Sequence, residues 1–76
     1  MKYREVARRL KALGCENRHA RRRGSHRKWY NPSANRTVVI PDHGAADLKI
    51  GTVRAAIRNL GINWRDFMDI FRNTHQ

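Results

Sequence analysis

From Tyr3 to Leu13 apolar residues recur at helical spacing, from His26 to Ile40 the period falls to two, and after Thr52 it returns to the helical value. A 76-residue chain that changes period in this way can bury its apolar side chains by laying helices on one face of a small sheet. In the first segment Tyr3, Val6, Ala7, Leu10 and Leu13 form the stripe. Lys2, Arg4, Arg8, Arg9 and Lys11 take the other faces, and Gly14 marks the stop. Cys15 to Arg23 is polar and weakly periodic and is read as a first strand. His26 to Asn31 alternates, which puts His26, Lys28 and Tyr30 on one face and Arg27 and Trp29 on the other. The cluster Pro32-Ser33-Ala34-Asn35 reads as a turn, and the β-branched run Arg36 to Ile40 as a strand ended by Pro41.

Asp42 to Gly51 then reads as a loop. Thr52 is the expected N-cap of a helix carrying Val53, Ala56, Ile57 and Leu60 and closed by Gly61. Asn63 is expected to open a last helix, with Ile62 stapled to Phe67 and an apolar face of Trp64, Phe67, Met68 and Phe71. The expected fold is therefore α+β, α-β-β-β-α with an extra C-terminal helix, in one domain spanning 1–76. Its second sheet face should be open and basic.

Charge narrows the partner. The chain has 17 Lys and Arg against 6 Asp and Glu, a net charge of +11. Almost all of the excess lies before Thr37, and most of the cations are Arg, whose planar fork suits phosphate. A polyanion, nucleic acid first of all, is the partner such a field fits. The longest apolar run, Val38-Val39-Ile40, is far short of the roughly 18 residues of a membrane span. No apolar stretch follows the basic start, so no secretory leader is expected. The lone Cys15 excludes an intramolecular disulfide and a multi-cysteine zinc site, and suits a reducing cytoplasm. Cys15 itself reads as a small core residue.

Chemistry on nucleic acid needs metal-holding carboxylates or a proton-transferring side chain. The acidic residues Glu5, Glu16, Asp42, Asp47, Asp66 and Asp69 are scattered, so neither metal nor other cofactor is expected. Histidine titrates in the range that RNA cleavage requires. His26 follows Gly24-Ser25, between Arg21, Arg22 and Arg23 on one side and Arg27 and Lys28 on the other. From spacing alone it reads more simply as a polar turn residue beside a solvated basic run. His19 and His75 read as surface residues, and His43 as part of a folded loop. Of the two adjacent aromatics, Trp29 is the better core residue and Tyr30 the better stacking surface, because Tyr30 shares its face with His26 and Lys28.

The segments LGCE at 13–16, GSH at 24–26, WYNP at 29–32, RTVVIPDH at 36–43 and LKIGTVRAAIRNLGI at 48–62, in this order, resemble the HicA family of toxins. These are small prokaryotic ribonucleases of toxin–antitoxin pairs. The resemblance implies a fold like the double-stranded RNA-binding domain and makes His26, of the Gly-Ser-His motif, the catalytic residue. It also implies metal-free mRNA cleavage and neutralisation by a HicB-type antitoxin in a hetero-oligomer. On this reading the chain is a cytoplasmic endoribonuclease. Arg21, Arg22, Arg23, Ser25, Arg27 and Lys28 hold RNA, and Tyr30 stacks a base. The alternative is a non-catalytic RNA-binding module that uses the same basic face.

Overall fold

Val6 and Leu10 are wholly buried and Tyr3 nearly so, one turn apart along the inner side of the first helix, α1 (Tyr3–Ala12). The helix ends where Gly14 takes a left-handed φ of 92°. This lets the Cys15 N–H reach the Leu10 carbonyl at 2.9 Å and the Gly14 N–H reach Lys11 at 3.0 Å. That paired closure satisfies carbonyls of the last turn and turns the chain toward the sheet. The computed structural model describes residues 1–18 and 26–72. After α1 come the strands β1 (Glu16–Asn17), β2 (His26–Asn31) and β3 (Arg36–Pro41), then α2 (Ile50–Asn59) and α3 (Trp64–Asp69).

The sheet is antiparallel in the order β1-β2-β3. Glu16 lies opposite Tyr30, and the β2–β3 ladder runs from His26 opposite Pro41 to Asn31 opposite Arg36. Period two then sorts the side chains. Trp29 and Ile40 point into the core, where they meet Leu10, Ile57, Leu60 and Phe67. The described helices pack on that face, α1 beside β1 and α2 beside β3. Two polar contacts pin the layers. Trp29 Nε1–H donates to the Tyr3 hydroxyl at 2.9 Å, and Asn31 Nδ2–H donates to the Leu60 carbonyl at 2.7 Å. Asn31 is a buried polar residue whose Oδ1 also accepts from the Ser33 N–H, so it ties the hairpin turn to the end of α2.

The α+β class and the α-β-β-β-α order with a further helix are as the periodicity indicates. Four details differ. The strand expected over Cys15–Arg23 is regular only at Glu16–Asn17. Cys15 precedes it as a buried plug, and positions 19–23 lie outside the described residues. Thr52 is not an N-cap. The helix begins two residues earlier, Lys49 precedes it in extended conformation, and Val53 N–H donates to the Lys49 carbonyl. Buried Leu48 anchors the chain just ahead of that first turn, so Gly51 is helical rather than a loop breaker. Pro41 belongs to β3 instead of ending it. Arg9 is not on an outer face. Its guanidinium donates to the carbonyls of Phe67 and Met68 at 3.0 and 2.7 Å and to Glu5 at 2.7 Å, so a cation serves as a strut between α1 and α3. Glu5 is held below the ordinary carboxylate range, first by its hydrogen bond from Arg8 and also by Arg9.

Asn63 does cap α3, accepting from the N–H groups of Arg65 and Asp66. Gly61 closes α2 as Gly14 closes α1, with φ 77° and an Ile62 N–H bond to the Ile57 carbonyl. A Cβ at Gly61 meets the Ala34 Cβ at 2.9 Å. Gly61→Ala therefore adds left-handed strain of about 1–2 kcal/mol to a steric clash. We expect it to lower the unfolding free energy by at least that amount in urea denaturation. An unchanged midpoint would show that neither the left-handed conformation nor the contact with Ala34 constrains this position.

Candidate functional site

The sheet face turned away from the helices carries His26, Lys28 and Tyr30 from β2, with Thr37, Val39 and Pro41 opposite them on β3. His26 and Lys28 are exposed, about 7 Å apart along the strand by its regular rise. Among the described residues Lys28 has no acidic partner. The site is thus an exposed imidazole beside an uncompensated ammonium on a rigid ladder. Such a pair can move a proton while a cation stabilises charge on a bound phosphate.

The sequence-predicted residues divide. His26, Lys28 and Tyr30 come together on the open face. Arg27 turns to the other face with Trp29, as alternation requires, and its Nε lies 3.5 Å from the Asp42 carboxylate. Its charge is compensated there and half-buried, so Arg27 does not join the open-face cluster. Arg21, Arg22, Arg23 and Ser25 lie outside the described residues. Tyr30 is only partly available for stacking. The Arg18 guanidinium lies over its ring at 4.1 Å, and its hydroxyl donates to Asn35 Oδ1 at 3.0 Å.

Arg18 is the residue that sequence reasoning missed. It sits opposite Lys28, to whose carbonyl its N–H donates at 2.8 Å, and its side chain also pairs with Glu16. Its signal was available only through register, because nothing in the weakly periodic first strand says which of its residues faces Lys28. A second concentration of cations lines a cleft of about 780 Å³ along α1, where Lys2, Arg4, Arg8 and Lys11 face Asp42 and Gly44. Arg8 is partly used by Glu5 and by the Phe71 ring, 4.0 Å beneath it. Lys2 is used by Asp47, whose carboxyl it holds below the usual range together with the N-terminal ammonium.

Cys15 offers no nucleophile. It is buried, and desolvation, with Glu16 adding to it, pushes its thiol above the ordinary value. Among the described residues no three of His, Cys, Asp and Glu gather as metal ligands, and no helix is long and apolar enough to cross a membrane.

A family model described as the HicA toxin of bacterial toxin-antitoxin systems matches residues 3–62, from α1 through the end of α2, with His26 inside the matched span. No curated protein and no solved structure matches the chain.

Proposed function

The chain belongs to the HicA toxin family and is a toxin of a toxin–antitoxin system, and from that premise and the geometry of the open sheet face we propose that it is a metal-independent endoribonuclease acting on mRNA. The observation that carries this reading is the exposed His26 beside Lys28 on a face the helices leave clear. His26 acts as the general base or acid. As base it takes the proton of a ribose 2′-hydroxyl. The 2′-oxygen then bonds to the adjacent phosphorus, the bond to the 5′-oxygen breaks, and that oxygen leaves as a hydroxyl after taking up a proton. Lys28, Arg18 and the Arg21-Arg22-Arg23 run hold the phosphate and offset charge developing on it. The α1 cations Arg4 and Lys11 add to the field that attracts the RNA backbone.

The antiparallel sheet with helices on one face supports the expected likeness to a double-stranded RNA-binding domain. Such domains recognise RNA by shape and backbone, which suits a nuclease of relaxed sequence preference. The antitoxin of the pair is a HicB-type protein that covers His26, and the toxin works in the cytoplasm, where its substrate is.

The experiment is cleavage of a defined RNA by the purified toxin, followed in excess EDTA and then with magnesium or manganese restored. Because the carboxylates are scattered, the rate should be unchanged by the chelator. Activity that vanishes in EDTA and returns with the metal would overturn the mechanism.

A further inference from the structure

The outer edge of β3 carries none of the residues assigned to cleavage, and among the described residues nothing pairs with it. In the order β1-β2-β3 this strand lies at the border of the sheet, and among the described residues β2 alone bonds to its backbone. Register identifies the groups left over. Arg18 N–H donates to the Lys28 carbonyl, so Lys28, and with it His26 and Tyr30, turn their backbone polar groups toward β1. Antiparallel ladders alternate, so Arg27, Trp29 and Asn31 turn theirs toward β3, onto Ile40, Val38 and Arg36. The N–H and C=O groups of Thr37 and Val39 therefore face outward. So does Pro41, which has no N–H to offer, the kind of edge position a strand proline tolerates.

Beside this edge α2 presents Thr52, Ala55 and Asn59, small enough to leave a groove along Val38 and Val39. Val39 is 53% exposed, one of two large apolar side chains so open among the described residues. A six-residue edge with a groove of mixed polar and apolar lining beside it is a template for one more strand. Charge selects the occupant. Arg36 lines the groove and Lys28 stands across the ladder from Val39, and neither has an acidic partner among the described residues. A second copy of a +11 chain brings like charge to the same place. RNA cannot continue a backbone ladder. An extended acidic protein segment meets all three requirements.

We propose that β3 accepts such a strand from the antitoxin, an inference that rests on the reading of the chain as a toxin held by a protein partner. The added strand lies about 10 Å from β2, two strand spacings away. Its end beside Pro41 reaches the corner of the sheet where His26 stands. The antitoxin is thus anchored on an edge that carries none of the residues assigned to RNA and can cover the imidazole from there.

The test is amide hydrogen exchange on the full chain complexed with the antitoxin encoded beside it, against the free chain carrying His26→Ala. The Thr37 and Val39 amides should slow by about tenfold or more in the complex, whereas Val38 and Ile40, already bonded to β2, change less. Ala55→Arg fills the groove from α2 and leaves every strand residue unchanged. It should weaken antitoxin binding by about tenfold or more while RNA cleavage is kept. If the antitoxin binds but Thr37 and Val39 exchange as in the free chain, strand addition is wrong and the partnership stands. If it does not bind at all, both fall. Protection of Thr37 and Val39 by RNA in place of the antitoxin would make the edge a nucleic-acid surface and overturn the proposal.

Discussion

Replacing His26 with Ala should abolish RNA cleavage while the protein stays folded and still binds RNA. Removing one proton-transfer group costs on the order of a hundredfold or more in rate. The fold should not notice, because His26 is exposed at the first position of β2 and no described side chain bonds to it. Affinity should persist because the field that attracts RNA comes from the Arg and Lys excess, which the substitution leaves in place. The measurement is single-turnover cleavage of a defined RNA beside a binding titration and a thermal melt. A variant that turns over like the parent would remove His26 from the chemistry. A parent that binds RNA without cutting it would leave the non-catalytic module as the better account.

Much of this site could be read before the structure, for one reason: strand alternation is a local property. It put Trp29 in the core and His26, Lys28 and Tyr30 on the opposite face, and the ladder keeps that division. Helix stops were legible for the same reason, since Gly14 and Gly61 adopt the left-handed conformations that close their helices. What could not be read was the destination of long cationic side chains. Arg9 lies one residue from Arg8 on α1, yet it is drawn inward by the carbonyls at the end of α3, a partner 58 residues away in sequence. Arg18 gained its place over Tyr30 from the β1–β2 register, and Arg27, expected to hold RNA, pairs with Asp42 instead. A helical wheel or an alternating pattern assigns a face. It does not say whether a carboxylate or a helix end waits on it. The start of α2 was misjudged because Thr52 is a good cap in isolation, whereas burial of Leu48 fixes where the chain enters the helix.

The largest effect on stability should come from Trp29→Ala. Trp29 is wholly buried at the centre of β2, between Lys28 and Tyr30, and its indole N–H bonds to the Tyr3 hydroxyl. Emptying such a site costs about 3–5 kcal/mol. A domain of this length holds only about 4–11 kcal/mol in all, at the usual stability per residue. The variant should therefore lose a large share of that stability, and its RNA cleavage should disappear at the same lowered temperature as its thermal transition. That coupling separates it from His26→Ala, in which activity is lost and the transition remains. The hydrogen bond can be weighed separately. Tyr3→Phe keeps the packing and leaves the buried indole N–H without an acceptor, at a cost of about 1–3 kcal/mol, or a Tm lower by roughly 4–8 °C for each kcal/mol. Trp29→Phe removes the donor and some volume. The double variant should then cost less than the two single changes summed, because the second substitution removes a group the first had already orphaned. Strict additivity in urea denaturation would show that Tyr3 and Trp29 stabilise the α1–β2 contact independently. If binding to the antitoxin requires the folded toxin, co-expression should restore soluble Tyr3→Phe more completely than Trp29→Ala, since the binding free energy offsets a small deficit before a large one.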